Sequence, residues 1–174
     1  MNEGENMIVR KAELSDLQAL IDIYNYEVEN GISTLDLHKK TYDEHKVWFD
    51  AHNKDNHPLI TAEEDGSILG YASLSPYRDK EAYETTVELS VYVSPNFRKM
   101  GVATALMKEI INLAYLDEKT HTVVSVITSG NDASAALHKK FGFTFCGTVK
   151  RVGKKFGRFL DIDNYYLFTD GEKQ

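Results

Sequence analysis

Between residues 85 and 127 the spacing of apolar residues changes period twice, and that double change limits the fold more than any other feature of the chain. Val87, Leu89, Val91 and Val93 alternate with Thr86, Glu88, Ser90 and Tyr92, the period of two that sends apolar side chains to one strand face and polar ones to the other. Leu106, Ile110, Leu113 and Ala114 then recur at helical spacing, and residues 123–127 form a largely β-branched run that reads as a buried strand. Strand, helix, strand implies a parallel crossover.

The first half has a different character. Residues 7–12 read as a short strand, and Ser15 to Gln18 gives an S-x-x-Q capping pattern ahead of Leu17, Leu20, Ile21, Tyr24 and Val28 on one helical face. Thr41 and Glu44 repeat that logic before a second helix expected to end near His52, with a loop over residues 30–40 between the two. Residues 59–64 and 68–75 flank Asp65-Gly66 as a β-hairpin. After the crossover come a short helix over residues 131–140, a strand over 143–149, a Gly-punctuated segment over 153–157 and a last strand over 159–168. No repeat, low-complexity tract or linker divides the chain, so residues 1–174 are expected to form one domain of mixed α/β class.

Composition excludes several functions. With 20 basic and 27 acidic residues, a net charge of −7, the chain has no general footprint for a phosphate backbone, so no nucleic-acid partner is expected. One basic run, Lys150, Arg151, Lys154, Lys155 and Arg158, interrupts this balance and reads as a hairpin with partly packed aromatics. No segment approaches the roughly 18 apolar residues of a membrane span, and the N-terminal MNEGENM lacks the pattern of a signal peptide. A cytoplasmic protein with no membrane partner is the expectation. The one cysteine, Cys146, sits in FTFCG and reads as core; the six histidines show no ligand spacing, so no metal is expected.

Chemistry concentrates in VYVSPNFRKMGVATAL, residues 91–106. A strand passes through Arg98, Lys99 and Gly101 into a helix whose first turn, Val102, Ala103 and Thr104, has no acidic residue. A helix start leaves N–H groups unpaired and carries partial positive charge, so an anion set there collects hydrogen bonds. The same residues also read as a plain strand-loop-helix turn with solvated cations. Neither G-x-G-x-x-G nor the P-loop pattern is present.

RKMGVA, residues 98–103, fits the [QR]-x-x-G-x-[GA] signature and resembles the GNAT N-acetyltransferases. The resemblance extends over nearly the whole chain through YASLSPYR (71–78), TVELSVYV (86–93), NDASAALHKKFGF (131–143) and VGKKFGRFLD (152–161), and is nearest to the branch acting on phosphinothricin and methionine sulfoximine. One departure is Ala103, where relatives often carry Gly. The resemblance implies the GNAT acyl-CoA N-acyltransferase fold, a mixed central β-sheet flanked by helices. It implies acetyl-CoA as co-substrate, held through Val91, Tyr92, Val93, Arg98, Lys99, Met100, Gly101, Val102, Ala103, Thr104 and Asn131. A homodimer is also implied.

On that resemblance the reaction is direct transfer of acetyl to the amine of a small amino-acid-like acceptor in a ternary complex. An amine of pKa roughly 8 to 10 is protonated at neutral pH and needs a base; Glu88 is the candidate, otherwise a solvated carboxylate. His138 stands where many relatives offer a tyrosine acid, and is read as the general acid or as a structural histidine. Asn131 reads as a cofactor contact or a helix cap. Arg78 suits an acceptor carboxylate or phosphinyl group and is otherwise a surface arginine; Tyr77, Thr86 and Val87 are expected beside it. Leu35 and Asp36 fall in a loop that closes the acceptor site. The alternatives are a protein or peptide N-acetyltransferase and a noncatalytic acyl-CoA-binding sensor.

Overall fold

The computed structural model describes residues 6–170; residues 1–5, most of the N-terminal segment read for a signal peptide, and residues 171–174 lie outside it. Seven strands form one sheet in the order β1-β2-β3-β4-β5-β7-β6. Its first half, β1 (Ile8–Lys11), β2 (Leu59–Glu64), β3 (Ser67–Pro76) and β4 (Thr86–Val93), is antiparallel; β5 (Thr122–Thr128) joins β4 in parallel, and β7 (Arg158–Phe168) then separates β5 from β6 (Thr144–Lys155). Helix α3 (Val102–Leu116) makes the crossover expected from the double change of period.

Two apolar layers sandwich the sheet. Val102, Leu106, Met107 and Ile110 of α3 pack on Val87, Leu89, Val123 and Ile127, and α4 (Asp132–Lys140) adds Ala135 and Leu137 to the same layer. The opposite face carries α1 (Leu17–Asn30) and α2 (Tyr42–Asp50), where Leu20, Ile23, Leu59 and Tyr71 cluster with Trp48, Phe49 and Tyr92. Thr41 caps α2 as its pattern requires: Glu44 N donates to Oγ1 at 3.3 Å and Thr41 N donates to the Glu44 carboxylate at 2.8 Å.

Four local expectations change. The Ser15–Gln18 capping box does not form; a turn of 3-10 helix precedes α1, and Glu13 N donates to Asp16 at 2.8 Å because the buried Asp16 carboxylate also binds Arg10 at 2.7 Å. Helix α2 ends at Asp50, two residues before His52. Cys146 is exposed rather than core, since a register shift between Phe145 and Gly147 breaks the alternation of β6. The Gly-punctuated segment is mostly strand: β6 continues to Lys155 and turns through Phe156 and Gly157, both at positive φ as a two-residue hairpin of this twist requires. Phe156 and Phe159 are exposed there, whereas Lys155 is buried.

Candidate functional site

Strands β4 and β5 are neighbours only where they begin. Pairing joins Thr86, Val87 and Glu88 to Thr122, Val123 and Val124, yet β4 runs on to Val93 and β5 to Thr128. Beyond Glu88 the two strands diverge. The other edge of β4 stays paired with β3 as far as Val93, and Ser94 N donates to Leu69 O at 2.9 Å. Because bonded and non-bonded pairs alternate along an antiparallel ladder, the main chain of Ser90 and Tyr92 faces β3, and that of Leu89, Val91 and Val93 faces the opening. Tyr92 thus has its main chain paired with β3, while its ring packs between Tyr24 and Tyr71.

The opening is a cleft of about 930 Å³ that runs from Glu88 at the fork to the first turn of α3. There Lys99 and Gly101 take positive φ, +65° and +82°, so the loop turns sharply into the helix. Gly101 caps α3 without a side-chain hydrogen bond, and the first turn holds no acidic residue. The N–H groups of Val102, Ala103 and Thr104 are left for an anion. Close packing here depends on Gly70, where a Cβ would lie 2.7 Å from Tyr92 O and 3.2 Å from the Val102 side chain. Met100 is excluded from the cleft and 45% exposed, because the turn that aims the amides inward sends its side chain out.

Arg98 lines the cleft but its guanidinium is ion-paired with Glu27, a buried carboxylate on α1, and lies 5.6 Å from the Tyr26 ring centroid. Asn131 also lines it while capping α4, its Oδ1 accepting from Ser134 N at 3.3 Å. The helix-cap reading of Asn131 is what the hydrogen bond shows.

Glu88 is half-buried at the fork. Burial raises its pKa above the ordinary carboxylate value and the Arg78 cation opposes that shift. Arg78 itself is exposed, its guanidinium 4.8 Å from the Tyr77 ring centroid and 5.7 Å from that of Tyr83. Neither Tyr77 nor Arg78 lines the cleft, and neither does half-buried Thr86. Val87 is a correction: fully buried, it points to the α3 layer, as the alternation that exposes Glu88 to the fork requires.

His138 lines the cleft but is 4% exposed and paired at both nitrogens. Nδ1 donates to Ser134 O at 2.8 Å, so Nε2 is the acceptor for the Ser125 hydroxyl at 2.7 Å. Burial lowers its pKa, favouring this neutral ring. So paired, it has no proton to give to the cleft. This differs from the acid role considered from sequence.

Three lining groups had escaped attention. Glu27 interrupts the apolar stripe of α1, a carboxylate where helical spacing calls for a core residue, and that was its available signal. Ser125 had none within the β-branched run. Residues 31–35 line the cleft as a connected piece of the early loop, which includes the expected Leu35, while Asp36 turns to a neighbouring cavity. Among the described residues no group of three or more His, Cys, Asp or Glu is arranged to hold a metal ion, and no helix is long and apolar enough to cross a membrane.

The family model for the acetyltransferase (GNAT) family matches residues 20–143. The phosphinothricin N-acetyltransferase of Streptomyces coelicolor is 39% identical over 160 residues, covering 90% of this chain and 93% of its own. Among solved structures, a Salmonella typhimurium protein with its cofactor acetyl-CoA superposes with a TM-score of 0.92 at 32% identity, covering 98% of both chains. The ribosomal-protein-alanine N-acetyltransferase of Brucella melitensis gives 0.89 at 39% identity, covering 92% of this chain and 99% of that one. A forked β4–β5 pair, an uncapped α3 preceded by Arg98-Lys99-Met100-Gly101, and these similarities agree: the chain belongs to the GNAT family of acetyltransferases.

Proposed function

We propose that this protein moves the acetyl group of acetyl-CoA onto the amine of a small amino-acid-like acceptor of the phosphinothricin or methionine sulfoximine kind, by direct attack in a ternary complex. The observation that carries this reading is the fork itself. It joins unclaimed amides at α3, able to take a pyrophosphate, to a half-buried carboxylate one strand-length away.

Each residue then has a task. The amides of Val102, Ala103 and Thr104, with Lys99, hold the pyrophosphate. The main-chain N–H groups of Val91 and Val93 face the opening and bind the pantetheine and acetyl carbonyls, where negative charge develops on attack. Glu88 takes the proton from the acceptor ammonium, directly or through one water, and its raised pKa makes it a better base than a solvent-exposed carboxylate. His138 gives no proton as paired; a thiolate of pKa near 8.5 departs as the anion and is protonated by solvent. Arg78, beside Glu88, attracts the acceptor's carboxylate or phosphinyl group.

Free-thiol release from acetyl-CoA tests the reading against phosphinothricin, methionine sulfoximine, methionine sulfone, common amino acids, polyamines and peptide N-termini. Turnover restricted to the amino-acid analogues supports it. Turnover of peptides alone favours protein acetylation, the second reading, which the similarity to the Brucella enzyme keeps in play. Tight acetyl-CoA binding with no release on any amine points to a sensor.

A homodimer and a cytoplasmic location belong to the same proposal. Phe145, Val149, Val152, Phe156 and Phe159, each 47–56% exposed, give the β6–β7 end of the sheet an apolar surface suited to a second copy. Light scattering at micromolar concentration reads the mass directly, and a monomer there rejects the dimer. Acetyl-CoA is a metabolite of the cell interior, and fractionation checks the location.

A further inference from the structure

The acetyl transfer proposed for Glu88 leaves Ser125 and His138 without a task, although both line the cleft and are joined there at 2.7 Å. The imidazole is fixed by more than this bond. Its Nδ1 donates to Ser134 O at 2.8 Å, and Phe143 and Tyr165 lie against the ring at 5.0 and 6.0 Å between centroids. A carbonyl can only accept, so Nδ1 carries the proton and Nε2 turns its lone pair to the Ser125 hydroxyl. Hydroxyl, base and orienting acceptor thus stand in the order used by serine nucleophiles, with a main-chain carbonyl in the third place.

The ring is also placed to hold a charge once it gains one. Burial keeps it neutral at rest, but His138 is in the last turn of α4, where the helix end carries partial negative charge that stabilises an imidazolium.

Ser125 is the first residue of β5 beyond the pairing with β4, which ends at Glu88 and Val124. It therefore stands at the vertex of the fork, level with the proposed base. Alternation sends the two to different faces of the sheet. Val123 and Ile127, on either side of Ser125, pack in the α3 layer, whereas Glu88 faces away from that layer between Val87 and Leu89. An acetyl group at the vertex has an amine approaching from the Glu88 face and a hydroxyl on the other.

We propose that Ser125 is a nucleophile with His138 as its base, and that the protein hydrolyses acetyl-CoA through an acetyl-Ser125 ester when no amine occupies the acceptor site. The bond from Ser125 Oγ to the acetyl carbon forms as the hydroxyl proton passes to His138 Nε2, and the carbon–sulfur bond breaks. The imidazolium gives that proton to the departing thiolate, leaving free CoA, a neutral ring and the ester. Water repeats the sequence: its proton goes to Nε2, its oxygen bonds the acetyl carbon, and the proton returns to Ser125 Oγ as acetic acid leaves and ionises. The Val91 N–H, which faces the opening, meets the negative charge on the acetyl oxygen in both halves. The reaction needs acetyl-CoA alone and is independent of which amine the protein acetylates.

The test incubates the full chain with acetyl-CoA and no amine, quenches it in acid at early times for intact mass and peptide mapping, and follows free thiol in parallel. The expected result is one acetyl group on the Ser125 peptide, removed by neutral hydroxylamine as an ester is and an amide is not, with thiol release faster than from acetyl-CoA in buffer. Ser125→Ala is expected to lose the adduct and to lower that release at least about tenfold. His138→Gln, kept in case the first variant fails to fold, is expected to slow both by removing the base. An adduct that resists hydroxylamine or maps to a lysine in place of Ser125, release no faster than in buffer, or unchanged release in a folded Ser125→Ala protein overturns the proposal. Release that depends on Ser125 with no ester trapped makes water the nucleophile and overturns it as well.

Discussion

Arg98, first residue of the RKMGVA segment, is ion-paired with Glu27 on α1, so the cation that sequence assigns to a phosphate is held by a buried carboxylate. Gly31 makes room for that carboxylate: a Cβ there would lie 2.0 Å from Glu27 Oε2. Arg98→Ala strands the charge of Glu27 and is expected to cost about 2 kcal/mol, less than for a fully buried pair because the Arg98 side chain is 47% exposed. Glu27→Gln combined with Arg98→Ala recovers part of that loss, and a double-mutant cycle in urea should return a coupling of about 1 kcal/mol or more. Gly31→Ala, which displaces the carboxylate, should reproduce the instability with both partners present. Additive single-variant effects would show that the pair contributes nothing.

Glu88 must be ionised to act as a base, so activity should rise with pH through its pKa, which burial has moved upward. Removing the opposing cation with Arg78→Gln raises that pKa further. The acidic limb of kcat/KM is then expected to move to higher pH, making the loss greater on that limb than on the plateau above it, together with a higher KM for the acceptor. Glu88→Gln should lower kcat about 10²–10⁴-fold and abolish the limb. An unmoved limb in the Arg78 variant would separate Arg78 from the base.

Three buried histidines set the acid side of stability. Burial lowers the pKa of His45 to about 4, and lowers those of His52 and His138. A folded-state pKa below the unfolded value of about 6.5 means that the unfolded chain takes up protons the native state refuses. The contribution is thus complete above pH 6.5 and is lost as pH falls toward the folded values. For His45 the loss is about 2 kcal/mol by pH 5. Urea midpoints at pH 7.5 and pH 5 should show this fall, and His45→Asn should reduce it.

Lys155 is a buried ammonium that ties three segments together, donating to Glu27 O at 3.1 Å and to Thr34 O at 2.9 Å from the end of β6. Lys155→Met takes this donor from Thr34 O, while Glu27 O keeps the Gly31 N–H at 3.0 Å, and is expected to cost about 1–3 kcal/mol. Because Thr34 and Leu35 line the cleft, the acceptor KM should rise more than the KM for acetyl-CoA. Exposed Lys154→Met serves as the control, and equal effects from the two would deny Lys155 its structural role.

How much of this was legible depended on the range of the interactions. The crossover, the Asp65-Gly66 hairpin, the Thr41 cap and the uncapped start of α3 are set by residues within a few positions of each other, and each could be read from spacing. The Ser15 cap failed because Asp16 had a stronger partner in Arg10. Cys146 was misplaced because one bulge shifts every later side chain on β6. The basic run looked uniform, yet Lys155 alone turns inward, since carbonyls more than a hundred residues earlier wait for it.

The sequence by itself determined the family, the order of elements, the position of Glu88 on the polar face of β4, and the loop that opens α3. These follow from periodicity and local backbone preference, which act over a few residues. Only the tertiary structure decided that β4 and β5 part after Glu88, that Arg98 is held by Glu27, that both nitrogens of His138 are paired, and that Val87 faces the core layer. Each of those depends on which distant groups share a desolvated space, and there the strength of an ion pair or hydrogen bond is set by neighbours the local sequence does not contain.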